Sequence, residues 1–501
     1  MSSVATRDTF VDAMNAPTYF LTTYGCQMNK NDSDRMAAIL SSIGFVPTDD
    51  ESTADIIIVN SCSVRQSAEE RIYGSQEKYL NYKKVKPNQI VAVTGCLPGR
   101  DKKKEYRGRL PGTDLYFPTA EMVHLPRWIA ERRPDLVTSG DLETDYLRIH
   151  PKTTGAQAFL TIQTGCNKFC TYCVVPYARG LERNRPVADI LSEAREQIAQ
   201  GVKEITLLGQ TVNSFVASDP EMFSITNPFC HSREGGNLVP PDSGLDSRLG
   251  STGSPLRRGN DRYERGNDKV GRGNDNGADF AALLWELNQL PGLERLHWTA
   301  AHPISMSDDV IQALALPKQV NYLHLPVQSG DDDMLKRMNR KYTREQYLTL
   351  IKKIKAARPG IALGTDIIVG FSGETREQFE KTLSLYREVD FDISYNAQYS
   401  ERSGTLAVKV YKDDVSDEEK KARWEELHAL MEEIVLRKNQ AYLNRIVSVV
   451  VDQQDKGWAG GNSLEMKRVR FPSQDPSLVG TIVCVKVTEP QAWMLTGLLE
   501  P

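Results

Sequence analysis

The stretch GCNKFCTYC, residues 165–173, contains three of the eight cysteines of the chain. It follows the apolar run at residues 158–163, which we interpret as a β-strand, so the three thiols lie in a loop at the end of a strand. Closely spaced thiolates are the ligands of iron–sulfur clusters, and a cluster held by only three of them keeps one iron open for another ligand. The spacing therefore predicts a 4Fe-4S site made by Cys166, Cys170 and Cys173.

A zinc site is the competing interpretation of the same run. A structural zinc ion needs four protein ligands, so a further residue such as His150 would have to complete the set. No second Cys/His pair lies nearby in the sequence, and we therefore favour the cluster.

Alternating strands and helices follow this loop. We predict six strands, at residues 158–163, 204–208, 294–299, 320–325, 361–369 and 392–399. The helices predicted between them include residues 187–200, 279–290, 344–357 and 376–389. Six strand–helix units predict a partial (β/α)6 barrel over residues 152–436, whose reactive loops follow the carboxyl ends of the strands.

Three further cysteines lie in the N-terminal part of the chain, over residues 17–135. Cys26, Cys62 and Cys96 each follow an apolar, β-branched run, at residues 18–25, 54–60 and 89–95. Strand–helix repetition of this kind predicts a doubly wound parallel sheet. Ligands bind at the carboxyl edge of such sheets, so cysteines far apart in sequence can converge there. We expect a second cluster site at this edge.

Residues 217–277 interrupt the barrel pattern. This segment contains the tetrapeptide RGND three times, beginning at Arg258, Arg265 and Arg272, and has few apolar residues. We expect a disordered loop that the barrel tolerates, because such a composition cannot bury a core. The alternative is that its arginines contact RNA.

The last part of the chain, residues 438–501, consists of short strand-like runs separated by turns with glycine or proline. Within so few residues this pattern predicts a small antiparallel β-barrel. The complete fold is therefore predicted to be α/β, with a parallel sheet, a partial barrel and a small β-barrel in succession.

Composition excludes several classes of protein. The formal net charge of −4 over 501 residues gives no overall nucleic-acid signal, so any RNA contact must be local. Residues 1–17 do not resemble a signal peptide, and no apolar run is long enough to span a membrane. Clustered cysteines without an export signal favour metal binding in the cytoplasm over disulfides.

The motifs around the cysteines resemble those of the radical S-adenosylmethionine methylthiotransferase family. They are YGCQMN at 24–29, NSCSVRQSAEER at 60–71, TGC at 94–96, GCNKFCTYCVVPYARGLERNRP at 165–186, ITLLGQTVN at 205–213, HLPVQSG at 324–330 and TDIIVGFSGET at 365–375. The closing domain resembles the TRAM module, an RNA-binding β-barrel. Within the family, the chain most resembles the MiaB-type tRNA enzymes, which convert N6-isopentenyladenosine at position 37 into its 2-methylthio derivative.

The resemblance implies two 4Fe-4S clusters and S-adenosylmethionine as cofactors. Cys166, Cys170 and Cys173 would hold the cluster that generates the 5′-deoxyadenosyl radical. Cys26, Cys62 and Cys96 would hold a second cluster that carries the sulfur to be methylated and delivered. The implied partners are the anticodon stem-loop of tRNA, a reducing electron donor such as flavodoxin or ferredoxin, and a sulfur donor. We expect a monomer.

Further candidate residues come from strand ends and basic stretches. Candidates for contact with S-adenosylmethionine are Gln210, Gln328, Ser329 and Asp366, with ordinary strand-end polar residues as the alternative. Candidates for RNA contact are Arg179, Arg183, Arg185, Lys467, Arg468 and Arg470, with solvated charges as the alternative. His302 and His324 are expected to be packed or hydrogen-bonded, and Cys230 and Cys484 to have no role in metal binding.

Other functions remain open at this point. The same clusters could act on threonylcarbamoyladenosine in tRNA or on an aspartate of a ribosomal protein. In a different class, the chain would be an iron–sulfur RNA-binding protein whose barrel has lost its activity through the insert.

Overall fold

The computed structural model describes residues 16–63, 66–137, 145–153, 155–230 and 278–500. Within these ranges, no helix is both long and apolar enough to cross a membrane. The arginine-rich repeat lies outside the described residues.

The N-terminal domain is a five-stranded parallel sheet with the order β2-β1-β3-β4-β5. Its strands are β1 (Thr18–Tyr24), β2 (Val46–Pro47), β3 (Ile56–Ser61), β4 (Ile90–Gly95) and β5 (Leu115–Pro118). Its helices are α1 (Gln27–Ser42), α2 (Gln66–Gly74), α3 (Gln76–Val85), α4 (Cys96–Arg100) and α5 (Leu125–Arg132). The predicted doubly wound sheet is confirmed, with β2 and β5 added at its edges.

Strand β3 shows why this sheet is covered on both faces. Side chains of a strand alternate between the two faces, so Ile56 and Ile58 join one apolar cluster while Ile57 and Val59 join another. All six residues of β3 and all six of β4 are buried, as expected for central strands of a parallel sheet.

The central domain is a curved sheet of six parallel strands. The six strands are β6 (Gln157–Thr161), β9 (Glu204–Leu208), β10 (Arg295–Trp298), β11 (Tyr322–His324), β12 (Ala362–Val369) and β13 (Ile393–Gln398). Two further strands, β7 (Gln163–Thr164) and β8 (Arg183–Asn184), form a separate antiparallel hairpin. The groups β6-β9-β10 and β11-β12-β13 are joined by a parallel bridge between Leu296 and Gln319. The predicted partial (β/α)6 barrel is confirmed.

Helices cover the outside of this barrel and follow its cysteine loop. They are α6 (Val175–Arg179), α7 (Val187–Ala199), α8 (Ala278–Gln289), α9 (Asp308–Ala313), α10 (Asp332–Arg337), α11 (Arg344–Ala357), α12 (Arg376–Val389), α13 (Leu406–Val410) and α14 (Asp417–Gln440). Helix α14 continues through the domain boundary predicted at residues 436–438. The other domain boundaries remain predictions.

The first part of the predicted insert, residues 217–230, packs against the barrel. Phe223 and Phe229 are buried in the apolar core of the barrel, and the Asn227 side chain donates a hydrogen bond to a backbone carbonyl of α8. The prediction of an unpacked loop is therefore wrong for residues 217–230, because two aromatic side chains among polar neighbours are enough to anchor the segment. Residues 231–277 lie outside the described residues, and Cys230 is the last described residue before them.

The C-terminal domain is a closed five-stranded barrel. Its strands are β14 (Ile446–Asp455), β15 (Trp458–Ser463), β16 (Arg468–Pro472), β17 (Ile482–Pro490) and β18 (Leu495–Leu499). Four of its pairings are antiparallel, as predicted, whereas β16 and β18 pair in parallel to close the barrel.

A buried ionic network joins the N-terminal domain to the central barrel. Arg35 of α1 donates two hydrogen bonds to the Glu193 carboxylate of α7, at 3.1 and 3.2 Å, and Arg185 contacts the same carboxylate at 2.6 Å. Arg35 and Glu193 have no exposed side-chain surface. One carboxylate therefore compensates two buried guanidinium groups at the interface.

We expect Glu193→Gln to lower the free energy of unfolding by about 3–5 kcal/mol, because it leaves two buried cations without a counter-charge. The measurement is urea denaturation followed by circular dichroism. The matched control is Glu196→Gln, one turn away on α7, where the carboxylate is half exposed and the expected change is within about 1 kcal/mol. Equal losses in both variants would contradict the role assigned to the network.

Candidate functional site

Three N-terminal cysteines meet at the carboxyl edge of the first sheet. Cys26 follows β1, Cys62 follows β3 and Cys96 begins α4 immediately after β4. The thiol of Cys62 hydrogen-bonds to both Cys26 and Cys96. In the strand order 2-1-3-4-5 the crossover directions reverse between β1 and β3, which is the position where such sheets bind ligands. The structure thus brings together the three cysteines expected at this edge, and their binding of a cluster stays a prediction.

Gly95 allows the Cys96 loop to approach the Cys62 loop. Its φ is +103°, and a Cβ at this position would lie 2.3 Å from the carbonyl oxygen of Ser61. A larger residue would clash with that backbone, so glycine is required. The backbone N–H of Cys62 also donates to the Tyr24 carbonyl at 2.7 Å, which ties the first two loops together.

Two buried asparagines brace the same edge. The Asn29 side chain donates to Asn60 Oδ1 at 3.1 Å, and the Asn60 side chain donates to the Asn29 carbonyl at 2.8 Å. Asn29 Oδ1 lies 3.3 Å from Cys26 Sγ. These amides stand in the quoted motifs YGCQMN and NSC, but no pattern within the sequence indicates that they contact each other.

Two of the three N-terminal thiols favour the ionised form. Hydrogen bonding from Cys62, assisted by the Arg179 guanidinium, lowers the pKa of Cys26 to about 6 and that of Cys96 to about 5. The pKa of Cys62 is raised by its hydrogen bonds to both neighbours, so metal binding must displace its proton. Thiolate is the form that binds iron, and Cys26 and Cys96 are therefore suited to metal.

The second triad lies in the loop between β7 and α6. The Thr211 hydroxyl lies 3.2 Å from Cys166 Sγ, and Arg340 Nη1 donates to Cys170 Sγ at 3.4 Å. Asn339 holds the loop from outside by donating to the Phe169 carbonyl at 2.9 Å, next to a left-handed φ of +48° at Phe169. Such a φ is rare for a bulky residue and indicates a backbone held in place by its surroundings.

Burial has the opposite effect on thiols of the second triad. It raises the pKa of Cys166, and it raises the pKa of Cys173 to about 12. Metal binding at this triad must therefore displace thiol protons. Arg340 and Thr211 supply the hydrogen bonds that stabilise sulfur once it is charged.

The donor set of each triad fits an iron–sulfur cluster. Three thiolates can bind three irons of a 4Fe-4S cluster and leave the fourth iron open for another ligand. His150, the candidate fourth zinc ligand, instead lies 2.7 Å from the Glu196 carboxylate.

A cavity of about 680 Å³ opens where the three domains meet. Cys26 and Lys30 line it from the first domain, while the central barrel contributes the following side chains: His297, Thr299, Tyr322, His324, Asp366, Asp392, Ile393 and Tyr395. Helix α14 and the C-terminal barrel close it with the following: Val435, Asn439, Asn462, Glu465, Met466, Lys467, Arg468, Ala492, Trp493 and Met494. The N-terminal triad thus borders a chamber large enough for a nucleoside.

Polar groups inside this cavity form a chain. The Tyr322 hydroxyl lies 3.0 Å from His324 Nδ1, and His324 Nε2 lies 3.0 Å from the Asp366 carboxylate. The ring of Tyr395, which is 60% exposed, lies 5.6 Å from that of His324. The cavity therefore offers both hydrogen-bonding groups and an exposed aromatic face.

Comparison with known proteins extends these observations. A model of the radical SAM superfamily matches residues 160–386, and one described as uncharacterized protein family UPF0004 matches residues 18–117. The tRNA-2-methylthio-N(6)-dimethylallyladenosine synthase of Carboxydothermus hydrogenoformans is 36% identical over 97% of this chain and 100% of its own length. The protein of the same name from Geobacillus thermodenitrificans is 37% identical over 96% of this chain and 83% of its own length.

The chain belongs to the radical S-adenosylmethionine methylthiotransferase family.

Solved structures resemble this methylthiotransferase only distantly. The radical enzyme OxsB, described as cobalamin-dependent, has a TM-score of 0.46 and 13% identity, covering 93% of this chain and 65% of that chain. The methyltransferase TsrM from Kitasatospora setae has a TM-score of 0.45 and 12% identity, covering 89% of this chain and 80% of that chain. Both scores are below 0.5, so the family assignment depends on the sequence relatives.

The candidates for S-adenosylmethionine contact lie in different environments. Gln210 accepts a hydrogen bond from Gly165 N at 2.9 Å and so supports the cysteine loop itself. Ser329 is fully buried, and its hydroxyl accepts from Asp331 N. Gln328 has a left-handed φ of +73° and a parallel bridge to β12. Asp366 lies within β12, where it lines the cavity, so the prediction that it sits at a strand end is wrong.

Three of the six candidates for RNA contact are buried. Arg179 pairs with Asp32, Arg185 pairs with Glu193, and Lys467 pairs with Asp392. The prediction of phosphate contact is wrong for these three, because each has an internal counter-charge and almost no exposed surface.

The other three basic candidates remain accessible. Arg183 is half exposed and pairs with Asp145, and Arg468 lines the cavity beside its partner Asp452. Arg470 lies over the exposed ring of Trp458. Their contact with RNA stays a prediction.

Both histidines follow the expectation that they are packed or hydrogen-bonded. His302 accepts a hydrogen bond from Ile304 N, and His324 belongs to the polar chain in the cavity. Burial lowers the pKa of His302 to about 2, so this side chain is neutral near pH 7.

We expect Cys62→Ala to bind about half the iron of the wild-type protein after anaerobic reconstitution, because it removes the central thiol of only one triad. Iron and sulfide analysis measures the result. Cys484→Ala is the matched control, since Cys484 lies on β17, outside both triads, and its loss is expected to leave the iron content unchanged. Complete loss of iron from Cys62→Ala would contradict two independent sites.

Proposed function

We propose that this chain transfers a methylthio group to carbon 2 of N6-isopentenyladenosine at position 37 of tRNA. The observation that carries the proposal is the assembly of two separate cysteine triads in a chain that matches synthases of this name over nearly its whole length. The resemblance to this family assigns radical generation to one triad and sulfur delivery to the other.

The residues of each triad are suited to cluster binding and supply different chemistry. Cys166, Cys170 and Cys173 would hold the cluster that supplies the electron for cleavage of S-adenosylmethionine, and Cys26, Cys62 and Cys96 would hold the cluster that supplies the sulfur for transfer. Radical chemistry fits the reaction, because an aromatic C–H bond has no leaving group for acid–base catalysis.

Side chains of the barrel prepare the radical site. Arg340 is buried and donates to Cys170 Sγ, while Nη2 of the same guanidinium donates to the Pro326 carbonyl at 2.7 Å. A fixed positive charge beside the thiolates offsets part of the charge of the site. Cys166 is buried, whereas Cys170 and Cys173 are only partly buried.

The cavity is the proposed place for the target base. Cys26 is exposed and lines it, so sulfur held by the first triad can reach a bound base. His324 and Asp366 can hydrogen-bond to adenine, and the exposed ring of Tyr395 can stack on it.

The same cavity favours an isopentenyl group over a threonylcarbamoyl group. Ile393, Val435 and Met494 provide apolar surface for a hydrocarbon chain.

Several partners belong to the proposal as well. A low-potential donor such as flavodoxin or ferredoxin reduces the protein, and a separate sulfur donor replenishes the transferred atom. We expect the chain to act as a monomer in the cytoplasm, where its tRNA substrate is made.

We expect Cys170→Ala to abolish both 5′-deoxyadenosine formation and methylthiolation, because it removes a ligand of the radical site. Cys26→Ala is expected to retain 5′-deoxyadenosine formation and to lose the methylthio product. Mass spectrometry of nucleosides from isopentenylated tRNA and of the small-molecule products measures both. Methylthio product from Cys26→Ala would reject the role of the first triad, and absence of cleavage by the wild-type protein would favour a binding role alone.

We expect Lys30→Gln and Arg468→Gln each to weaken binding of an anticodon stem-loop. Each change should also reduce the slope of log K against log salt concentration by about one unit. Both side chains line the cavity and can meet phosphate beside the bound base. Fluorescence anisotropy over a salt series measures the slope. The control is Lys353→Gln, an exposed lysine of α11 that does not line this cavity. An equal effect of all three changes would indicate only non-specific attraction.

A further inference from the structure

Arg179 connects the two cysteine triads. It is the last residue of α6, six positions after Cys173 in the loop of the second triad, yet its Nε lies 3.4 Å from Sγ of Cys96 in the first. Its Nη2 donates to Asp32 Oδ2 at 2.6 Å, and its side chain is only 4% exposed. A guanidinium carried by one metal-binding loop therefore contacts a ligand of the other.

One donor of this guanidinium has no acceptor in the part of the chain that the structure describes. Nη1 of Arg179 is buried and makes no hydrogen bond among the described residues. Leaving a buried donor unsatisfied costs about 1–3 kcal/mol, and more when the group is charged. The arrangement is therefore incomplete without an acceptor beside Cys96.

Arg340 provides a contrast at the second triad. Its Nη1 donates to Cys170 Sγ, its Nη2 to the Pro326 carbonyl and its Nε to the Tyr342 hydroxyl. All three nitrogens of that guanidinium have acceptors within the protein. Arg179 also contacts a cysteine sulfur, but one of its nitrogens has no acceptor among the described residues.

The backbone fixes Arg179 relative to the first triad. Helix α4, which begins at Cys96, packs so closely on α6 that a Cβ on Gly99 would lie 2.1 Å from the Ala178 carbonyl oxygen. Glycine permits this contact, and Ala178 directly precedes Arg179. The backbone of Arg179 therefore cannot move away from helix α4 without separating two helices, and the ion pair with Asp32 holds the guanidinium beside Cys96.

We propose that Arg179 is a positioning residue for the cluster of the first triad, donating Nε–H and Nη1–H to its sulfur atoms and holding it at a set distance from the radical loop. This inference rests on the proposed binding of a cluster by Cys26, Cys62 and Cys96. Bridging sulfides of a cluster accept hydrogen bonds and provide the acceptor that Nη1 lacks. Hydrogen bonds to cluster sulfur and nearby positive charge raise the reduction potential, because they stabilise the more negative reduced state.

The test uses the full chain with Cys166→Ala, Cys170→Ala and Cys173→Ala, so that only the first triad can bind a cluster. In this background we compare Arg179, Arg179→Lys and Arg179→Gln by redox titration monitored by electron paramagnetic resonance. We expect Arg179→Gln to titrate at a more negative potential with an altered signal, and Arg179→Lys to recover part of the shift. Arg183→Gln, which changes a half-exposed arginine beyond the same loop, is expected to match the parent.

Each outcome decides a different point. An unchanged potential and signal in Arg179→Gln, at equal iron content, overturns the role of Arg179 while leaving the cluster assignment intact. Absence of any cluster in the parent overturns the assignment of the first triad, and this inference with it. If Arg179→Gln does not fold, Arg179→Lys carries the test, since it keeps the charge but loses the planar pair of donors, and parent-like behaviour in it overturns the proposal.

Discussion

A single buried carboxylate, Glu193, determines how the first two domains face each other. It accepts hydrogen bonds from Arg35 of the N-terminal sheet domain and from Arg185 of the barrel. Two guanidinium groups without this partner would be too costly to bury, so the domains must meet in this register. The contact of Arg179 with Cys96 and the shape of the cavity between the domains both depend on that orientation.

Both triads use the same property of parallel strands. The carboxyl ends of such strands lie at one edge, so each following loop can place a side chain there. In the N-terminal domain three loops contribute one cysteine each, whereas in the barrel one loop contributes all three. The first solution depends on close backbone approach at Gly95, and the second on a constrained loop at Phe169.

The C-terminal barrel completes the site instead of serving only as a separate module. Arg295 of β10 donates to the Ser448 and Asn462 carbonyls, and Lys467 pairs with Asp392 at the edge of the central sheet. These contacts position Arg468 and Trp493 over the cavity that Cys26 borders. In the proposed reaction the same surface that binds RNA also encloses the target base.

The local sequence was enough to predict the strands, the helices and the six candidate cysteine ligands. Alternating apolar strands and helices with clear ends, such as 344–357 and 376–389, agree with the structure to the residue, and all six cysteines fall where a strand-end argument places them. Hydropathy patterns and turn-forming residues involve only a few neighbouring positions, so the sequence alone is enough to identify them.

Tertiary structure alone decided which charges face solvent and which support the site. Arg185 and Lys467 stand in basic stretches that suggested RNA contact, yet Glu193 and Asp392 bury them as ion pairs. Arg179 and Arg340 contact cysteines 83 and 170 positions away, respectively. The sequence around a charged side chain does not show which residue it pairs with, because the packing of distant elements determines that partner. For this reason the sequence indicated the candidate metal ligands, and only the fold revealed the arginines that contact them.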